Sequence, residues 1–240
     1  MVQDEQNRPR TLAIIPARGN SKGIRLKNIA RCAGRPLLEW TLEAAKASSL
    51  LNKVVVSSEN DRVLACSQPY YEDDYRVLNY KRPSQLSEDD TPTEAVINDV
   101  LTGIGLLKPP EIIVLLQPTS PVRTGKQIDE AITKLIETGA DSLLSVTKDH
   151  TFIWQDNGLR QLRARPLNYP ITARPRRQEV VQYAENGSIY VFTRKHWEQR
   201  HNRLGGRIEL YEMPEECAIQ IDTPFDLFLA EKILERNQYR

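Results

Sequence analysis

Short runs of Ile, Val and Leu alternate along this chain with segments whose apolar residues recur at helical spacing, and few architectures accept that alternation. Leu12 to Ile15, Val54 to Ser57, Ile112 to Leu116 and Ser142 to Val146 read as buried strands. Between them, Pro36 is suited to the first position of a helix, and Leu37, Leu38, Trp40, Leu42 and Ala45 repeat on one face. Thr93 to Leu107 and Lys126 to Glu137 have the same spacing. Strand and helix in series predict an α/β fold with a largely parallel sheet covered on both faces.

The pattern changes after Val146. His150 to Tyr183 carries no long helical repeat, is polar, and contains Pro166, Pro170 and Pro175. It reads as an excursion from the core, built as a hairpin arm. Regular structure resumes at Gly187 to Phe192 and Arg207 to Tyr211, and an amphipathic helix over Pro224 to Arg236 closes the chain. With 240 residues, the expectation is a flexible polar segment at 1–10 and one domain at 11–240, with the excursion at about 148–184.

Charge narrows the function classes. Lys plus Arg is 33 and Asp plus Glu is 32, so no broad basic surface for nucleic acid is implied, and any cationic site is local. Cys32, Cys66 and Cys217 are odd in number and widely spaced, with no CxxC pair. They suggest a reducing compartment. The N-terminal residues lack the apolar run of a secretory signal, and no apolar run is long enough to span a membrane. A cytoplasmic protein is expected.

In open α/β sheets ligands bind beyond the carboxyl ends of the strands, which directs attention to three loops. The first is Pro16-Ala17-Arg18-Gly19-Asn20-Ser21-Lys22-Gly23, whose small residues let backbone amides face an anion. Arg18, Lys22 and Lys27 add positive charge there. It is neither GxGxxG nor GxxxxGK[ST]. A solvated basic loop would have the same composition, but a position directly after the first strand favours phosphate. The second is Leu116-Gln117-Pro118-Thr119-Ser120-Pro121, stiffened by two prolines, with Gln117 offering both donor and acceptor. The third is Ile219-Gln220-Ile221-Asp222-Thr223-Pro224, which alternates like a strand leading into a helix. There Asp222 or Thr223 caps the helix, or Asp222 ligates magnesium at nucleotide phosphates.

Taken together, these residues resemble the acylneuraminate cytidylyltransferases, the CMP-sialic acid synthetases. The resemblance rests on Ile14-Ile15-Pro16-Ala17-Arg18-Gly19-Asn20-Ser21-Lys22-Gly23-Ile24 with Lys27-Asn28, on Arg82-Pro83 with Leu86-Ser87 and Asp89, and on Leu116 to Pro121 with Arg123. It continues at Arg174-Pro175-Arg176-Arg177-Gln178, Glu185-Asn186-Gly187-Ser188-Ile189-Tyr190 and Ile221-Asp222-Thr223-Pro224. Each motif is moderately specific, and their order along the chain is highly so. Gln117-Pro118-Thr119-Ser120 resembles the nine-carbon-sugar branch rather than the Kdo enzymes.

The resemblance implies a Rossmann-like nucleotide-diphospho-sugar transferase fold with a small dimerisation arm. It also implies transfer of CMP from CTP to a nonulosonic acid such as sialic, legionaminic or pseudaminic acid. The arm, the polar excursion, is expected to cross to a partner subunit, making a homodimer with shared sites. By similarity, Arg18, Asn20, Ser21, Lys22, Lys27 and Asn28 hold the triphosphate, while Arg82, Thr91 and Thr93 occupy the stretch that reads cytosine. Thr93 replaces the family's usual Ser and would otherwise pass for a helix cap. Gln117, Arg176, Asn186 and Tyr190 align with the sugar side, Arg176 being suited to pair bidentately with the acid's carboxylate. Arg18, Lys27 and Asp222 are the expected catalytic residues. Mg2+, with Mn2+ as a substitute, is expected on Asp222 and Gln220.

Two positions depart from the family pattern. Gln220 stands where an Asp is usual, giving an oxygen without charge. Ile153 stands where some relatives have a basic residue, and Lys148 is the nearest cation. No side chain stands out as general base. His196 and His201 read as members of a surface helix, so a metal-bound hydroxyl or a substrate group is the remaining source. Two other functions stay open: a non-catalytic CTP or CMP-sugar binding homologue, and a nucleotidyltransferase for a Kdo-like acid or another base.

Overall fold

The computed structural model describes residues 8–156 and 164–238. In chain order its elements are β1 (Thr11–Pro16), the two short strands β2 (Arg31–Cys32) and β3 (Arg35–Pro36), α1 (Leu37–Ala47), β4 (Lys53–Ser58), α2 (Asp61–Asp73), β5 (Val77–Lys81), α3 (Thr93–Gly103) and β6 (Ile112–Leu116). They continue as α4 (Gly125–Thr138), β7 (Ser142–Asp149), the short strands β8 (Trp154–Gln155) and β9 (Arg165–Pro166), β10 (Gln182–Thr193), α5 (Arg194–Arg200), β11 (Ile208–Glu212) and α6 (Pro224–Gln238).

Seven strands form one sheet in the order β11-β7-β10-β6-β1-β4-β5. Every neighbouring pair is parallel except the two made by β10, which runs against both β6 and β7. Successive side chains of a strand point to opposite faces, and β1 sorts accordingly. Ala13 and Ile15 join a core cluster that includes α1, α4 and α6, whereas Leu12 and Ile14 join a second that includes α3 and Trp197 of α5. All four are fully buried. Burial of such aliphatic side chains on both faces, at about 1.5–3 kcal/mol each, is what holds the helices to the sheet.

Several elements differ from expectation for identifiable reasons. Pro36 is the residue before α1, and the first helical residue is Leu37. The helix expected over Thr93 to Leu107 stops at Gly103, followed closely by Gly105 at φ 63°. α2 shows little apolar repeat and holds Pro69 inside it, with only Val63 and Ser67 buried. β5 buries only Val77 fully, so its run mixes apolar and polar residues. Residues 219–221 form no strand, although Ile221 N–H bonds to Thr119 O at 2.8 Å. His196 is buried on α5 rather than on a surface helix, and His201 is the left-handed residue that ends it.

The polar excursion contains the antiparallel pair β8–β9, in which Trp154 opposes Pro166 and Gln155 opposes Arg165. Residues 157–163 of the excursion, and 1–7 of the expected flexible segment, lie outside the described residues. Arg10, at the end of that segment, donates its N–H to Glu111 at 2.9 Å.

The chain runs β1 to β4 to β5 toward one edge and then places β6 on the other side of β1. That reversal opens a crevice between the ends of β1 and β6, where ligands bind in such sheets.

Candidate active site

A cavity of about 280 Å3 fills this crevice. Pro16 at the end of β1, with Arg18 and Ser21 from the loop after it, forms one wall together with Lys27 and Asn28. Leu86 to Asp89, Thr91 and Thr93 form the opposite wall, and Gln117, Pro118 and Thr119 after β6 close the end.

Local structure aims the cations. Leu26 adopts a left-handed backbone at φ 52° and ψ 41°, which costs an L-residue on the order of 1 kcal/mol. It starts the 3-10 turn Lys27–Ile29. Lys27 turns inward from it, its side chain only 13% exposed, and Nζ donates at 2.8 Å to both Ile221 O and Asp222 Oδ1. Lys27 is therefore not an exposed loop lysine. Asn28 is buried and donates to Arg18 O at 2.8 Å, pinning the loop that carries Arg18. Arg18 Nη1 and Lys22 Nζ each lie 3.0 Å from an Asp89 carboxylate oxygen. Lys22, with Arg18 behind it, keeps the Asp89 carboxyl below its ordinary range.

Asp222 is not spent as a helix cap. Thr223 Oγ1 accepts from Asp226 N–H at 3.3 Å, and Asp226 Oδ2 accepts from Thr223 N–H at 2.8 Å. That reciprocal cap leaves the Asp222 side chain, 75% exposed, to Lys27. Gln220 and Gln117 meet over Gly187. A β-carbon there would lie 2.6 Å from Gln220 Nε2 and 2.8 Å from Gln117 Oε1, and φ is +64°.

The remaining predicted residues fall into three groups. Thr91 and Thr93 face the cavity. The position before α3 is Pro92 and no side chain caps that helix, so Thr93 is its first helical residue rather than its cap. Asn20 and Lys22 line an adjoining cavity with Arg25 and Arg62. Arg82, Asn186, Tyr190 and Arg176 are outside the cavity lining. Arg82 is buried against Glu59, Ser87 and Ser57 O, and burial pulls its pKa below the usual guanidinium range. Asn186 is buried, accepting from Ser145 Oγ at 2.6 Å and donating to Cys217 O at 3.1 Å. Tyr190 is buried beneath Arg203, and burial together with a short bond to Glu185 raises its pKa. Arg176 sits on the excursion, its N–H bonded to Glu179 at 3.0 Å. Its neighbours Arg174 and Arg177 line a separate cavity with Phe152 and Trp154. Ile153 is exposed, and Lys148 pairs with Glu212 at 2.9 Å.

Two residues stand out that sequence reasoning did not place in the site. Arg123 is buried with no carboxylate among the described residues bonded to it, and burial pulls its pKa down to about 9. It donates to Ser188 O at 2.7 Å and to the carbonyls of Gln117 and Ser120, bracing the loop after β6 against β10. Glu59 follows β4 and accepts from Gly19 N–H at 2.6 Å. Its position directly beyond a strand's carboxyl end was the available signal.

The cytidylyltransferase family model matches residues 12–239. The chain belongs to the cytidylyltransferase family. Among its relatives, N-acylneuraminate cytidylyltransferase B of Danio rerio is 36% identical over 95% of this chain and 52% of its own length. The Escherichia coli N-acylneuraminate cytidylyltransferase is 31% identical over 96% of this chain and 53% of its own. The chain thus spans about half the length of those proteins. It is also 30% identical to the CMP-N,N'-diacetyllegionaminic acid synthase of Legionella pneumophila, over 95% of this chain and 98% of that one. In fold it is similar to a CMP:2-keto-3-deoxy-manno-octonic acid synthetase complexed with CTP, with TM-score 0.67, 16% identity, and 95% and 99% of the two chains covered.

Proposed function

We propose that this protein transfers CMP from CTP to the anomeric hydroxyl of a nonulosonic acid, releasing pyrophosphate. The observation that carries the reading is the convergence of Arg18, Ser21, Lys27 and Asn28 on one crevice, with Asp222 joined to Lys27. Nucleotidyl transfer builds negative charge on the α-phosphate and the departing pyrophosphate, and prepositioned cations stabilise it. Arg18 and Lys27 supply that charge from a braced loop. Thr91 and Thr93 offer hydroxyls on the wall facing it, suited to a small pyrimidine. Relatives named for acylneuraminic, legionaminic and pseudaminic acids support a nine-carbon acceptor.

Mg2+ takes oxygen ligands and commonly uses one or two carboxylates together with substrate phosphates. The donor set fits: Asp222 presents an exposed carboxylate beside the cationic wall, and Gln220 a neutral amide oxygen. Mn2+ suits the same oxygens. Bound there, the metal would neutralise charge on the triphosphate. A homodimer is supported by the apolar surface of the excursion, where Ile153, Trp154, Leu167, Ile171 and Val181 are exposed. Three free cysteines support a cytoplasmic setting. No described helix is long and apolar enough to cross a membrane.

The test is incubation with CTP, Mg2+ and a panel of sialic, legionaminic and pseudaminic acids plus Kdo, reading pyrophosphate. Release with a nine-carbon acid is expected. Release with none of them, or with Kdo alone, overturns the reading. Gln220 favours a second reading, a nucleotide-binding homologue that does not turn over. Calorimetric CTP binding without pyrophosphate release would mark it, and brisk turnover would end it.

A further inference from the structure

Glu59 occupies the turn between β4 and α2, and its side chain is only 13% exposed. It lines no part of the crevice, yet the two facing segments that do so are both bonded to it. Oε1 accepts the Gly19 N–H at 2.6 Å, from the loop that carries Arg18. Oε2 accepts Ser87 Oγ at 2.6 Å, from the opposite wall. Arg82 Nη2, just beyond β5, reaches the same oxygen at 3.2 Å, while its Nε donates to Ser87 Oγ at 2.9 Å. Burial alone would raise the Glu59 pKa, but the bonds from Ser87 and Gly19 and the Arg82 charge outweigh it, leaving the carboxyl below its ordinary range. Bonds from an ionised acceptor to N–H and O–H donors are short and about twice as strong as neutral ones.

We infer that Glu59 is a positioning residue that fixes the phosphate-binding turn at a set distance from the nucleobase wall, through one carboxylate shared by Gly19, Ser87 and Arg82. The inference rests on the crevice being the CTP site. Without this acid, Arg18 and the Leu86–Asp89 wall are joined only by the solvent-facing contacts of Arg18 and Lys22 with Asp89 and of Arg18 with Glu88 O, which a triphosphate would displace. A ligand spanning both walls, such as a nucleoside triphosphate, must then pay to order them.

Glu59→Gln keeps the shape and removes the charge. Glu59→Asp keeps the charge but shortens the reach by one methylene, and it carries the test should the Gln variant fold poorly. CTP binding is measured by calorimetry beside thermal midpoints, and KM for CTP beside KM for the sugar acid. The expected result is CTP binding at least about tenfold weaker in the folded variants, with KM for the sugar acid changed less than about twofold. In combination with Arg18→Ala the two losses should be less than additive, because Glu59 acts through the turn bearing Arg18. Unchanged CTP affinity in folded variants, equal shifts in both KM values, or strict additivity with Arg18→Ala would overturn the inference. If wild-type protein itself binds no CTP, the reading of the crevice falls instead, so the two failures are distinct.

Discussion

Gly23 lies directly against the backbone carbonyl of Asp222: a β-carbon on Gly23 would sit 2.2 Å from that oxygen. Two segments nearly two hundred residues apart in sequence thereby come into contact at the edge of the crevice. Backbone, unlike a flexible side-chain tip, yields little. Gly23→Ala should therefore push the cationic loop away from Asp222 and lower turnover at least about tenfold, with the thermal midpoint only modestly reduced. Pyrophosphate release at wild-type rate would show that this contact is dispensable.

Arg18→Ala and Lys27→Ala should each lower turnover by at least about tenfold with the fold intact. Lys27 has a second duty, since its bonds to Ile221 O and Asp222 also hold the chain entering α6. Its variant should accordingly lose more thermal stability than the Arg18 variant. Wild-type kinetics in both would remove the phosphate assignment.

Asp89 occupies Arg18 and Lys22, two of the cations expected to hold a triphosphate. Exposed ion pairs of this kind contribute little, so releasing them costs little but measurably. Asp89→Asn should lower KM for CTP by about two- to fivefold at low salt, and the difference should shrink as salt screens the site. An increase in KM would mean that Asp89 assists binding instead of competing with it.

Asp129 tests the scaffold rather than the site. Its carboxylate accepts Ser49 N–H at 2.9 Å, Ser49 Oγ at 2.7 Å and Leu50 N–H at 3.1 Å, and a short bond from Ser48 Oγ, tying α4 to the loop after α1. Burial works against ionisation, but these bonds outweigh it and the pKa is lowered. A depressed folded-state pKa means that the unfolded chain binds the proton more readily. The stabilisation is therefore present above about pH 4, the unfolded value, and is lost as pH falls through the folded one. Asp129→Asn should cost about 1–3 kcal/mol near pH 7, and the gap to wild type should narrow below about pH 4. A gap independent of pH would contradict the assignment.

Sequence reasoning found the elements whose pattern is strong and missed those whose pattern is mixed. β6, five residues all buried, was predicted at its observed limits, because a fully buried strand reads as one apolar run. β5 and α2 lie at and beside the sheet edge, bury little, and left no periodic signal. In the site, Arg18 and Gln117 were visible because they follow strand ends within two residues, and Lys27 because it continues the basic loop after β1. Glu59, Asp89 and Arg123 act through bonds to Gly19, Arg18 and Ser188, which lie 40, 71 and 65 residues away in sequence, and spacing along a chain does not encode such contacts. Asn186 and Tyr190 show the converse. Their motif is plain in the sequence, yet their polar atoms are taken up by Ser145, Cys217 and Glu185.

The brace made by Arg123 grips chiefly main-chain oxygens, those of Gln117, Ser120 and Ser188, with one longer bond to the Thr41 hydroxyl at 3.5 Å. Main-chain atoms are the same whatever residue bears them. Neighbouring side chains can therefore be exchanged without loosening the brace, so one frame is able to host differently built crevice walls. The lining of the crevice would then change by swapping wall residues while the girder behind them stays untouched.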